Sequence, residues 1–493
     1  MAKLHGRRAA EVRKITEQED KFEVDTDWVM PQLTELLPDG GRLDQEIRTL
    51  DSTYFDTPGA GLRLFGITLR RRVGGSETGW QLKVPSGTAR TELQSGSWTE
   101  TLPAALENGV DGLLAGENLG AVATIKTTRT AYQLLNADGD LLMEIADDQV
   151  ESGPPDGESM LHSWREIEVE LGPAGKKKDL KQARKLLQAA GAAPSTIRTK
   201  LDKALGPALP DRQAFTIEAG SVGELVAAYV AAQCEVLASN DVGMRTGEPA
   251  VHKTRVAARR LRSTLRMFDD VFVAAPAEEL DNELSWYADV LGQVRDRDIL
   301  SSRLTKQIAE LPPVHLRGPV EAEITKALAA EREEAVEELN EAIRTPRYQH
   351  LVQLLRGWRA APPVTDAAGK KAKTAVKYVD KAKKKADKRL RKADEDIDRL
   401  HRARKAMKRA RYAAELVEPA NSDMKAVARE AEEIQTLLGE HQDAVVSAEF
   451  LAKISSSADG ESEESTFTYG VLMANELQRA ADIRASLQSS GSI

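Results

Sequence analysis

In the stretch Glu166-Ile167-Glu168-Val169-Glu170-Leu171, acidic and apolar residues alternate without a break. Side chains of a β-strand point to opposite faces in turn, so the three glutamates share one surface and Ile167, Val169 and Leu171 share the other. Few folds accept such a strand, because adjacent like charges repel unless cations face them. Other segments carry the matching rows. Arg70 and Arg72 fall opposite Leu69 and Val73, Lys83 opposite Trp80, Leu82 and Val84, and Glu144 with Asp148 opposite Met143 and Ile145. Glu17, Glu19 and Lys21 also share one face. A sheet solvated on one side produces alternation too, but it mixes signs within a strand more often. A barrel with a polar interior explains like-charge rows better. Its carboxylates suit hard divalent cations, Mg²⁺ or Mn²⁺, and its Arg and Lys rows suit phosphates.

This strand texture, with Gly-rich turns, runs through about the first 200 residues and ends in a helix expected near 179–190. Residues 205–217 carry Pro and Gly without periodicity and read as a linker. Beyond them Ala, Leu, Glu, Lys and Arg recur with a 3.6-residue period, interrupted near Pro312-Pro313 and Pro362-Pro363, so the rest is expected to be helical. Residues 455–465 read as an exposed loop. The fold class expected is multidomain: an N-terminal antiparallel β-tunnel over 10–204, then an all-α domain over 218–490.

Composition adds exclusions. One cysteine, Cys234, in 493 residues excludes a disulfide framework or a Cys-based zinc site. The first twenty residues lack the apolar core of a signal peptide, and no stretch approaches the roughly 20 apolar residues of a membrane span. A cytoplasmic protein with no membrane partner is expected. The net charge of −9 argues against polyanions only if spread evenly. It is not: residues 370–411 hold 19 Lys or Arg and 6 acids.

Glu17-x-Glu19-x-Lys21 resembles the ExExK signature of the CYTH domain, the triphosphate tunnel metalloenzymes. Tyr54-Phe55-Asp56-Thr57, Leu69-Arg70-Arg71-Arg72, Leu82-Lys83, Arg90-Thr91-Glu92, Glu144 to Asp148, Glu166 to Glu170 and Thr199-Lys200 follow in the family's order. The resemblance implies an eight-stranded tunnel that hydrolyses a triphosphate with a divalent metal. It implies that Glu17, Glu19, Glu168 and Glu170 line the metal side, and that Lys21, Arg70, Arg72, Lys83, Lys126 and Lys200 clamp phosphate oxygens. Glu92, Glu144 and Asp148 would orient those cations or share in metal and water positioning. Lys126 and Arg129 have opposite strand parity, so at most one faces inward; Lys126 is favoured. Thr199-Lys200 stands where the family usually has Ser-Lys.

In the second half two segments echo each other at an offset of 149 residues, pairing His252 with His401, Arg255 with Arg404, Arg259 with Lys408, Arg260 with Arg409 and Arg262 with Arg411. Leu291-Gly292 and Leu438-Gly439 form a second echo. An internal duplication, over about 218–345 and 370–490, explains both. On a helix, His252, Arg255, Arg259 and Arg262 make one stripe, beside an apolar stripe of Val251, Ala258, Leu261, Leu265 and Phe268. The pair of motifs resembles the CHAD domain, the conserved-histidine α-helical domain. That implies two pseudo-symmetric helical bundles whose basic stripes bind long-chain polyphosphate, and an association with polyphosphate granules. The Lys-rich segment 370–392 either extends that anion site or is a solvated helix face.

Two functions follow as expectations. One is a metal-dependent triphosphatase, acting on inorganic triphosphate, with a polyphosphate-binding helical half. The alternative is a granule-binding protein whose tunnel is catalytically weak or acts on a nucleoside triphosphate. Nucleic acid is disfavoured, since few aromatics such as Tyr378 and Tyr412 accompany the basic stripes.

Overall fold

The computed structural model describes residues 12–75, 78–87, 89–96, 98–156, 159–206, 217–393, 396–457 and 463–489. Most of the expected linker lies outside these residues, as do 458–462 of the expected 455–465 loop, whose flanks 455–457 and 463–465 are helical. The chain divides into two compact units, one of residues 1–211 with 238–249, the other of 212–237 with 250–493.

The first unit is built on strands β1 (Val12–Glu17), β2 (Glu19–Val24), β3 (Arg42–Asp56), β4 (Thr68–Val73), β5 (Gly79–Ser86), β6 (Ala89–Ser95), β7 (Gly120–Leu135), β8 (Leu141–Gly153), β9 (His162–Leu171) and the short β10 (Ala193–Pro194). Their order in the sheet is β1-β6-β5-β4-β3-β7-β8-β9-β2-β10, antiparallel throughout. Only Gln18 separates β1 from β2, yet β1 pairs with β6 and β2 with β9. One continuous stretch thus joins both ends of the sheet and closes it, leaving eight principal strands around a tunnel. Closure removes the exposed edges that an open sheet would leave.

The alternation in β9 now has a direction. Ile167 and Val169 point outward into a core with Phe22, Leu134, Met143 and Ile145. Helix α2 (Lys177–Ala189), which follows α1 (Ala104–Leu114), closes that core with Ala183 and Leu187. Burying each such side chain is worth roughly 1.5–3 kcal/mol, so the apolar faces fix the register and force the charged faces inward. Toward one end the strands bring together Tyr54, Ala123, Ile125 and Val150, packed on Leu201 of helix α3 (Lys200–Leu205).

The second unit contains α4 (Val222–Arg245) as far as Leu237, then α5 (Val251–Met267), α6 (Ala274–Glu310), α7 (Val320–Ala342), α8 (Pro346–Ala360), α9 (Val376–Leu390), α10 (Ile397–Val417), α11 (Met424–Ser457) and α12 (Glu463–Ser489). The medium–long–medium series α5, α6, α7 recurs as α10, α11, α12, with α8 and α9 between, and α5 packs on α10. Alanines 403, 406 and 410 on the buried side of α10 admit close neighbours, in a core with Leu390, Leu438 and Leu487. One expectation changes here: α4 has the length and apolarity of a membrane span, with a mean hydropathy of 1.3 over its best window. Its Val222, Val226, Val230 and Cys234 recur every four residues and are buried, the stripe of a helix packed on one side.

Candidate functional sites: a charged tunnel and a cationic groove

The tunnel interior gathers Glu17, Glu19, Lys21, Arg70, Arg72, Lys83, Glu168, Glu170 and Lys200 around one cavity. Pairing explains the convergence: Glu19 faces Glu170 and Lys21 faces Glu168 across β2 and β9, while Lys83 faces Glu92 across β5 and β6. Lys83 Nζ lies 2.7 Å from Glu17 Oε2 and 2.8 Å from Glu92 Oε2. Lys21 Nζ is 2.8 Å from Glu168 and 3.5 Å from Glu19. Lys200, at the start of α3 and 6% exposed, reaches Asp148 at 2.9 Å, Glu166 at 2.7 Å and Glu168 at 2.8 Å. Arg70 Nε donates to Gln81 Oε1 at 2.6 Å and Arg72 Nε to Ser52 Oγ at 3.1 Å.

Several placements differ from expectation. The inward cation on β7 is Arg129, not Lys126. Arg129 faces Asp148 across β8 and binds it at 2.7 Å, with Glu168 at 2.6 Å. Lys126, three residues away, falls on the other face of the strand and is absent from the cavity lining. Glu144 and Asp148, taken as metal ligands, are engaged by cations: Arg48 is 3.4 Å and Arg129 3.8 Å from Glu144, and Asp148 is fully buried between Arg129 and Lys200. The Thr199 hydroxyl caps α3, accepting from the Asp202 N–H at 2.9 Å and donating to Asp202 Oδ2 at 2.7 Å. Tyr54, Arg90 and Glu166, which the motif order includes without a role of their own, also join the site.

Burial and pairing set the charge states. Burial alone would depress Lys83 and Lys200, but their carboxylates outweigh it and raise both. Glu168 is likewise held well below the usual carboxylate range, by Lys200, Lys21 and Arg129. Glu17 goes the other way. Burial, with Glu92 and Glu170 beside it, outweighs Lys83 and pushes it up to about 8. A carboxyl that keeps a proton among carboxylates is a place where a cation can replace that proton. Together with the oxygen-only donors Glu19 and Glu170 in the same cavity, this fits a hard divalent ion. Among the described residues, Asp148, Glu166 and Glu168 form a carboxylate cluster within 4.8 Å, whose charge Lys200 meets directly.

In the helical unit, α5 and α10 set their stripes side by side, flanked by α6 and α11, along a groove of about 680 Å³. Nine Arg and Lys and two His line it against three Asp, so its surface is strongly cationic. His252, Arg255, Arg259, Arg262, His401, Arg404, Lys408 and Arg409 are all in it. The Gly echo is a notch: a Cβ at Gly292 would come within 3.1 Å of the Arg255 guanidinium, and one at Gly439 within 3.1 Å of that of Arg404. Burial, then neighbouring cations, lowers both histidines. Arg260 and Arg411 are not in the lining. Glu415 holds both, at 2.8 and 2.7 Å, and Glu432 holds Arg411 at 2.9 Å. The repeat breaks here because the residue four beyond Arg411 is Glu415, whereas four beyond Arg262 it is Arg266, which cannot attract it. Lysines of α9 are absent from the groove as well; Lys383, for one, pairs with Asp387 and Glu430.

A closed antiparallel tunnel with paired charge rows, followed by a duplicated helical unit, defines a two-domain class, and sequence comparison agrees. The CYTH domain matches residues 16–204 and the CHAD domain residues 228–452. The chain belongs to the CYTH–CHAD family, and its N-terminal unit is a triphosphate-tunnel domain. It is 33% identical over 502 residues to Rv2226 of Mycobacterium tuberculosis strain H37Rv, covering 96% of this chain and 95% of that one. Among solved structures it is similar to PptA from Streptomyces chartreusis (TM-score 0.48, 19% identity, 55% of this chain and 99% of that one). It is also similar to HpAC1 from Hippeastrum, an adenylyl-cyclase candidate with a dominant triphosphatase activity (TM-score 0.22, 14% identity, 38% and 93%).

Proposed function

We propose that the tunnel hydrolyses inorganic triphosphate to pyrophosphate and phosphate with Mg²⁺ or Mn²⁺, and that the groove holds long-chain polyphosphate. The observation that carries this reading is the meeting of Lys21, Arg70, Arg72, Lys83, Arg90, Arg129 and Lys200 with a carboxylate row inside one small enclosed cavity. Phosphoanhydride hydrolysis needs charge neutralised on non-bridging oxygens and a water held in line. Arg70 and Arg72, side by side on β4, present planar donors that suit two phosphate oxygens each. Lys83 and Lys200, tethered to carboxylates, keep their charge and position before substrate arrives. Glu17, Glu19, Glu168 and Glu170 would hold the metal, which supplies further charge neutralisation and acidifies a water. The narrow cavity offers no broad apolar surface for a nucleobase, which favours the inorganic chain.

The test is phosphate release by the purified protein from triphosphate, ATP, thiamine triphosphate and long-chain polyphosphate, each with Mg²⁺ or Mn²⁺. Highest kcat/KM for triphosphate is expected. Polyphosphate binding with no hydrolysis of any of the four would leave the granule-binding alternative.

A further inference from the structure

The two stripes of the groove are not equivalent. The position that holds Arg259 in the first repeat holds Lys408 in the second, and a guanidinium keeps its proton where an ammonium can release it. Lys408 is half-buried in the groove wall. Arg404 acts on it from its own helix α10, and Arg255 and Arg259 from α5; the acid that opposes them most is Asp443 on α11. On α6, Asp296 is occupied by Arg255 at 2.6 Å. Arg259 and Arg404 each bury an Nε that has no hydrogen-bond partner among the described residues. The cluster is therefore a set of cations crowded around an amine with too little negative charge to hold them all.

We infer that the groove takes up a proton on Lys408 when it binds a phosphate chain, so that its occupancy is coupled to pH. This rests on the reading that the groove binds polyphosphate. Without an anion, burial first and then Arg404, Arg259 and Arg255 bring the amine down to about 6, so it is largely neutral at pH 7–8. A polyanion among the same residues reverses their field and favours the ammonium. Binding then draws one proton from solution, and affinity falls as pH rises above about 6, by about tenfold per pH unit for a full proton. His252 and His401, lowered by burial and neighbouring cations, are favoured in their charged form by the same anion and add to the uptake independently of residue 408.

The experiment is calorimetric titration of the full-length protein with long-chain polyphosphate at pH 7.0, 7.5 and 8.0. Chains of several hundred units keep their weakly acidic ends negligible. Measuring in two buffers of different ionisation enthalpy gives the protons taken up without any variant. Wild type should absorb at least about one proton and lose about tenfold or more in affinity from pH 7 to 8. Lys408→Arg, which restores the residue of the other repeat, should absorb about one proton fewer than wild type in that range, show a correspondingly shallower pH slope and bind more tightly than wild type at pH 8. Tight wild-type binding with no proton uptake, or an unchanged pH slope in Lys408→Arg, would overturn the coupling and leave the polyphosphate reading intact. Absence of binding at every pH would overturn both.

Discussion

Tunnel and groove are both lined with Arg and Lys, but they balance charge in opposite ways. In the tunnel, Lys21, Lys83, Arg129 and Lys200 each touch carboxylates at 2.6–2.9 Å. Lys83 and Lys200 are raised there, whereas in the groove Arg259, Arg404, Lys408 and Arg409 are all lowered, by burial first and then by neighbouring arginines. The tunnel is organised before a ligand comes, as a site for chemistry must be. The groove keeps an excess of positive charge that an anion would relieve, as suits a site that only binds. Perturbing either kind of balance should therefore give different signatures.

The largest effect is expected from removing the tunnel's central counter-ion. Lys200→Met leaves Asp148, Glu166 and Glu168 without their shared ammonium. Losing one partner of a buried charge cluster costs about 3–5 kcal/mol. Urea unfolding of the tunnel unit should show the loss; unchanged stability would mean that its charges do not compensate one another. Glu19→Gln is gentler on the fold, because Glu19 meets Lys21 only at 3.5 Å. It should lower triphosphate turnover by about a hundredfold, the scale of losing one preorganised electrostatic group, with polyphosphate binding in the groove unchanged. Wild-type turnover in Glu19→Gln would sink the catalytic assignment.

Smaller effects are expected in the groove, where the cations share the load. Arg255→Ala and Arg404→Ala should each weaken polyphosphate binding by about tenfold, the scale of one charge-assisted hydrogen bond, and flatten its salt dependence. Arg260→Ala should change binding little, because Glu415 already holds that guanidinium away from the groove. Equal losses in all three would mean that the whole basic face binds, not the groove.

That contrast also marks what the sequence could reveal. Strand phase placed Glu166, Glu168 and Glu170 on one face, and the 149-residue echo brought His252 and His401 to one groove. Both are local periodicities, and such patterns survive folding because a buried apolar face fixes the orientation of the polar one. Partners set by distant chain were not legible. Arg129 prevails over Lys126 because β7 pairs with β8 in the register that sets Arg129 against Asp148, a relation no single strand contains. Arg260 left the basic stripe because Glu415, on a helix 155 residues along the chain, lies within reach. That the sheet closes was legible in the like-charge rows, but where it closes was not, since Gln18 alone marks where one extended stretch changes partners.

The smallest predicted effect sharpens the comparison most, since it asks whether Glu17, an acid raised inside the cavity, is waiting for a metal. Glu17 keeps its proton to about pH 8 in the folded tunnel, against an ordinary 4.5. Between those values the folded protein binds more protons than the unfolded chain, so this contribution to stability is full below 4.5 and disappears as pH rises through 8. Glu92, held low by Lys83 against burial, loses its contribution only on the acid side and does not interfere in this window. In chelator-treated protein, wild type should therefore lose more melting temperature than Glu17→Gln between pH 6 and pH 8.5, by about a few degrees; the comparison cancels Lys408, whose lowered amine works in the opposite sense over the same range. A divalent ion that takes the proton's place should recover the difference at pH 8.5, and more so there than at pH 6, because no proton then has to be displaced. Glu17→Gln, neutral at every pH, should flatten this part of the pH profile in the chelated protein. A profile of the same slope in that variant would place the effect on another group and remove the strongest reason for siting the metal beside Glu17.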